Sequence, residues 1–152
     1  VEGRVDRVLV GVDGSAHARR ALDWAIVLAD ASGAEVVAVH AVGLLVHPKD
    51  GGAPVAGHSH LDQLRHELES DWCSPLIESG IPHRFFLLEG PADEVLLGVA
   101  DREAADIIVV GRRGAGGFAE LLLGSTSLRV TEQADRPVLV VPADHRRPPG
   151  TP

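Results

Sequence analysis

Tyrosine and methionine are absent from this chain of 152 residues, aromatic side chains make up only 3% of it, and cysteine occurs once. A core built from such a sequence has to be aliphatic. Cys73 cannot form an internal disulfide, and with no second thiol it reads as a small buried hydrophobe without chemistry of its own. No apolar run approaches the ~20 residues needed to cross a bilayer, so a membrane is not an expected partner. The mixed-charge start Val1-Glu2-Gly3-Arg4 also lacks the apolar stretch of a signal peptide. A cytoplasmic location is therefore expected. Positive charge is the minority: 14 Lys plus Arg stand against 22 Asp plus Glu, a formal charge of −8. Such a surface repels a polyphosphate backbone, which removes nucleic acid from the expected partners.

What remains is the composition of a globular domain, 45% hydrophobic and 24% charged, at a length that suits one core and one site. Because the chain opens on Val1 rather than Met, its start is read as trimmed or replaced. Residues 1–6 and the Pro-rich 143–152 are expected to be tails around a domain at 7–142.

Five short, continuously apolar runs bounded by turn residues predict strands covered on both faces, as in a parallel sheet. They are Val8–Val12, Glu35–Ala41, Phe85–Leu88, Ile107–Val110 and Val138–Val141, most of them dominated by β-branched residues. Between the first two, Ala18, Ala21, Leu22, Ala25, Leu28 and Ala29 recur at helical spacing, with Ser15 as N-cap and Gly33 as the stop. A second helix runs through Leu61, Leu64 and Leu68 toward Gly80, where Pro75 should kink or end it. A third begins at Pro91, in the first helical position, and buries Val95, Leu96 and Val99. A fourth covers about Ser125 to Ala134. Strands alternating with helices imply right-handed parallel crossovers, hence a doubly wound open α/β sheet. Gly43 to Gly57, rich in Gly and Pro, is expected to be a connecting loop out of the second strand.

The most informative stretch is Gly111-Arg112-Arg113-Gly114-Ala115-Gly116-Gly117-Phe118, followed after a few residues by Gly124-Ser125-Thr126-Ser127. It leaves a strand and enters a helix. Glycines let backbone approach a ligand closely, and exposed amides at a helix start attract anions, which is what holding phosphates requires. The hydroxyls can donate to phosphate oxygens or cap the fourth helix. Read from the residues alone, a plain turn with capping hydroxyls stands beside the phosphate-binding reading.

Gly111, Gly114, Gly124 and Ser125 also fit in full the pattern of Gly, two residues, Gly, nine residues, Gly and Ser or Thr that marks nucleotide-binding members of the universal stress protein family. The chain resembles that family further at Val8 to Ser15, Val39-His40, Ala105 to Val110 and Arg136 to Val141, about residues 5–142 in all. The resemblance implies a five-stranded sheet in the order 3-2-1-4-5, the universal stress protein fold of the adenine nucleotide alpha hydrolase-like class. In that order strands one and four leave in opposite directions, opening a crevice at their carboxyl ends, where ligands of open α/β sheets bind. It implies ATP as the cofactor, with Mg permitted beside it, and a site made of Gly11, Val12, Asp13, Ala41, Val110, Gly111, Gly114, Gly124, Ser125 and Thr126. Asp13 would accept hydrogen bonds from adenine or ribose, and Ala41 would offer main-chain contact to the base. Gly111 and Gly114 would pass the ribose and first phosphate, and the amides of Gly124, Ser125 and Thr126 would receive the outer phosphates. Asp13 can equally cap the first helix. A symmetric homodimer is implied through Val138–Val141, an apolar edge that would otherwise be exposed.

Other motifs carry less. Gly114 to Ala119 satisfies a dinucleotide fingerprint, but the acidic residue that should follow about 20 positions on, at the end of the next strand, is replaced by Asp135 at the wrong end of that strand. No Gly-Lys-Ser or Gly-Lys-Thr is present, so this is not a P-loop. No metal-placed water is legible, and a binding or sensing role in the stress response is favoured over an enzyme, with slow ATP hydrolysis or an empty interaction module as alternatives. His47, His58, His60 and His66 lack the spacing of a structural zinc site and read as solvated, and His40 as a satisfied residue at a strand end.

Overall fold

Three of the aliphatic runs are so apolar that they stay dry only with a layer on each side, and the structure supplies both layers. In the computed structural model the described residues are 3–43, 58–113 and 123–142. Strands β1 (Arg7–Gly11), β2 (Glu35–Val42), β3 (His83–Glu89), β4 (Ile107–Gly111) and β5 (Val138–Val141) form one sheet in the order β3-β2-β1-β4-β5. Every pairing is parallel, with Leu9 beside Val37 on one side and Ile108 on the other.

Alternation along the strands divides the core. Val8, Val10, Val36, Ala38 and Val109 point to one face, where they meet Ala21, Leu22, Ala25 and Ala29 of α1 (Ala16–Ser32), with Leu68 and Leu76. Leu9, Val37, Val39, Ile108 and Val110 point to the other face. There they meet Val95, Leu96 and Val99 of α4 (Ala92–Arg102) and Val130 of α5 (Ser125–Gln133). The buried alanines of α1, Ala18, Ala21, Ala25 and Ala29, bring that helix close to the sheet, which matters for the site below.

α1 starts and stops where its residue types dictate. The Ser15 hydroxyl accepts from the Ala18 amide at 3.1 Å, and Gly33 closes the helix at φ 74°, a left-handed conformation natural to glycine. The second helical region differs from one continuous helix. α2 (His58–Glu67) passes into a π-helical turn at Leu68–Trp72, breaks at Cys73 and restarts as α3 (Ser74–Ser79) with Pro75 in its first turn. Pro75 lacks an amide hydrogen, so it is tolerated only where no intrahelical bond is needed, and the break falls just before it.

Several boundaries shift. Pro91 lies just outside α4 with ψ 135°, as the cap rather than the first helical residue. β1 closes at Gly11, although Val12 still donates its amide to the Val39 carbonyl at 2.9 Å. The start of the chain is tied down earlier than a tail over 1–6 would be. Val5 packs against the core, and Asp6 donates to Asp106 Oδ2 at 2.7 Å and accepts from the Glu35 amide at 2.9 Å. Cys73 is buried as expected, and burial pushes its thiol up to about 12. Nearly all of the 43–57 loop and the 143–152 segment lie outside the described residues.

Candidate functional site at the carboxyl edge of strands one and four

β1 and β4 are neighbours, and their chains leave the shared edge in opposite directions, β1 through α1 toward β2 and β4 through α5 toward β5. Gly11 to Ser15 and Gly111 to Arg113 therefore emerge at one switch point.

On the β1 side the turn is held by its own polar groups. Asp13 is half-buried, and its Oδ1 accepts from the Ser15 amide at 2.9 Å, a local Asx turn just before the α1 cap. Gly14 between them has φ 80°, and an added Cβ would lie 2.8 Å from the indole of Trp72. Val12 is fixed from both sides: its amide reaches Val39, and its carbonyl accepts from Nδ1 of His40 at 2.7 Å. His40 is thus satisfied, and its ring meets Trp72 edge-on at 4.9 Å between centroids. Ala41 follows, half-buried, and Val110 is buried one residue before β4 ends.

On the β4 side the geometry redistributes the roles. A Cβ on Gly111 would fall 2.8 Å from the carbonyl carbon and oxygen of His17, so glycine is needed there for the close approach of α1. Gly124 is the N-cap of α5 and donates its amide to the Arg112 carbonyl at 2.7 Å. That carbonyl also accepts from the hydroxyl of the buried Ser127 at 2.8 Å. Gly124 and Ser127 thus fasten the start of α5 to the end of β4. The amides of Ser125 and Thr126 lie in the first turn of α5, where no intrahelical acceptor exists. Gly114 lies outside the described residues.

Three nitrogens near Gly111 are buried without a hydrogen-bond partner among the described residues: Nδ1 of His17 and the Nε atoms of Arg112 and Arg113. Unpaired buried polar atoms are uncommon, because each costs the desolvation that a partner would offset. The edge is thus donor-rich at the α5 end and carboxylate-bearing at the Asp13 end.

Between α1 and the π-helical turn lies a cavity of about 100 Å³ that includes Val12, Ser15, Arg19, Asp71 and Trp72 in its lining. Sequence reasoning passed over Trp72. Its one signal was rarity, as one of two tryptophans in a chain poor in aromatics. His60 and His66 are exposed, His47 and the side chain of His58 fall outside the described residues, and among the described residues no three His, Cys, Asp or Glu gather as metal ligands. No described helix is long and apolar enough to cross a membrane.

The model of the Universal stress protein family matches residues 4–142. A universal stress protein of Thermus aquaticus is 36% identical over 135 residues, covering 88% of this chain and 96% of the relative. A solved protein of the same family from Burkholderia pseudomallei is 28% identical with a TM-score of 0.69, covering 91% of this chain and 97% of that one. Another solved universal stress protein, in complex with cAMP, is 26% identical with a TM-score of 0.63 and covers 93% of this chain and all of that one. The sheet order, the residues at its switch point and these likenesses agree, and the chain belongs to the universal stress protein family.

Proposed function

We propose that this protein binds an adenine nucleotide, ATP in the first place, across the carboxyl edge of β1 and β4, and acts in the stress response as a nucleotide-dependent sensor or regulator. The observation that carries the reading is the polarity of that edge. A carboxylate turn at Asp13 suits the hydroxyls and amines of a nucleoside, and the amides of Ser125 and Thr126 at the α5 start suit phosphate oxygens. The Nε atoms of Arg112 and Arg113, without partners among the described residues, add donors where β4 leads toward α5. The related structure with cAMP supports an adenine nucleotide as the ligand class.

The site comprises Gly11, Val12, Asp13, Ala41, Val110, Gly111, Gly114, Gly124, Ser125 and Thr126. Gly111 and Gly124 serve it by placing α1 and α5, and Ser125 and Thr126 by direct donation. Any Mg would arrive on the phosphates. We assign binding rather than turnover, because the sequence lacks the Gly-Lys-Ser or Gly-Lys-Thr that sets a lysine on the terminal phosphates.

Residues 7–142 form the functional unit, with β5 as its pairing edge. β5 lies at the end of the sheet with Val138, Leu139 and Val140 only half-buried, and a second copy would cover them across a two-fold axis.

Chromatography of small molecules released on denaturing the purified protein tests the ligand. Near-stoichiometric adenine nucleotide is expected. Its absence, together with calorimetric silence toward ATP and AMP, would refute the reading. Light scattering at micromolar concentration tests the dimer, and a monomer mass would refute that part.

A further inference from the structure

Resting on the nucleotide reading, we propose that Trp72 is a ligand-contacting residue that selects for a planar base at the Asp13 end of the site. It reaches that end from a part of the chain that contributes none of the glycine pattern. The π-helical turn Leu68–Trp72 carries it there. A π turn inserts an extra residue per turn, which re-aims the side chain that follows, and such turns recur at functional sites.

Trp72 is half-buried, whereas Leu68 at the other end of the same turn is fully buried and Cys73 beside it is too. Leu68 and Cys73 anchor this segment in the core, and Trp72 packs against the same core only in part, with the rest of its ring lining the cavity. There it touches two residues that frame the proposed nucleoside position. It lies against Gly14, next to Asp13, and edge-on to His40, whose Nδ1 holds the Val12 carbonyl.

The cavity between these groups is about 100 Å³. Pockets for whole small ligands run from about 300 to 1,000 Å³, so this one takes a single part of a nucleotide. Its lining decides which part. Val12, Ala18 and the indole are apolar, Ser15 offers a hydroxyl, and Arg19 and Asp71 bring one charge of each sign. With those two charges offsetting, the lining has no net positive charge to draw a phosphate, and its apolar wall beside the indole favours a flat heteroaromatic ring. Aromatic side chains are the usual means of gripping such a ring.

The test uses the whole 152-residue chain in calorimetry and fluorescence with ATP and AMP as probes. Trp72→Leu should weaken both by about 5- to 150-fold, while Trp72→Phe stays within about threefold of the parent because a ring is retained. In a Trp24→Phe background Trp72 is the sole indole, and its emission should change saturably at the calorimetric Kd. This second arm stands even where Trp72→Leu fails to fold. Nucleotide binding with unchanged emission in the Trp24→Phe protein, or with undiminished affinity in Trp72→Leu, overturns the inference and leaves the nucleotide reading intact. No binding by the unaltered protein overturns both.

Discussion

Replacing Gly111 by alanine separates two reasons for a glycine at the end of β4. If the residue were glycine only to let a ligand approach, a methyl group would leave the unliganded protein undisturbed. The structure gives a different expectation. The new Cβ would lie 2.8 Å from the carbonyl carbon and oxygen of His17 and 3.0 Å from its Cβ, about 0.6 Å short of the 3.4 Å at which ordinary contact begins. Two of those three neighbours are backbone atoms in the first turn of α1, so no rotamer change relieves the overlap. α1 must retreat, which opens space beneath Ala18, Ala21, Leu22 and Ala25, or the end of β4 must bend away from Val141. Overpacking of this kind costs about 1–3 kcal/mol, and the backbone partners put Gly111→Ala at about 2–3 kcal/mol. At ~2–4 °C per kcal/mol for a domain of this size, the melting temperature should fall by about 4–12 °C. Gly11→Ala provides the control. Its Cβ meets the two Leu96 methyls at 3.2 and 3.3 Å, and a flexible side-chain end can yield, for a cost under about 1 kcal/mol. Thermal melts followed by far-UV circular dichroism without ligand read both. A melt of Gly111→Ala indistinguishable from the parent would refute the helix-approach argument and return Gly111 to a ligand-only role.

Gly98 offers the opposite sign: it lies inside α4, and a Cβ there meets nothing within 4 Å. Gly98→Ala should stabilise by about 0.5–1 kcal/mol, seen as a rise of about 1–4 °C in the same melts. Arg136 donates through Nη1 to the carbonyls of Ala100 at 2.6 Å and Ala105 at 2.8 Å and pairs with Asp101, holding the end of α4 to the approach of β5. Arg136→Ala should cost about 1–3 kcal/mol in urea unfolding, the penalty of leaving such acceptors unpaired. Burial raises the Cys73 thiol to about 12, so at about pH 8 its thiolate fraction is only ~10⁻⁴. Aromatic disulfide reagents should therefore leave it unlabelled until denaturant is added, and fast labelling of the native protein would contradict the packing around it.

The parts legible in the residues were those set by neighbours a few positions apart. Ser15 and Gly33 bracket α1 because a cap and a left-handed stop are local geometry. Val8–Leu9–Val10 announces a two-faced strand because its side chains must alternate, whatever lies above and below. Even the break at Cys73 follows from one proline two residues on. The family pattern then brought the strand order, which periodicity could not supply.

Long-range packing decided the rest. Gly111 owes its identity to His17, and Gly124 has its amide bound to Arg112, so two residues of the glycine pattern act by placing helices. Trp72 meets Gly14 and His40 from the end of a π turn that is remote from both in sequence. A chain determines its periods and caps through bonds spanning three or four residues. Which remote backbone a glycine must admit, and which ring closes a cavity, depends on how whole helices settle onto the sheet, and that is fixed only when both layers of the core are filled.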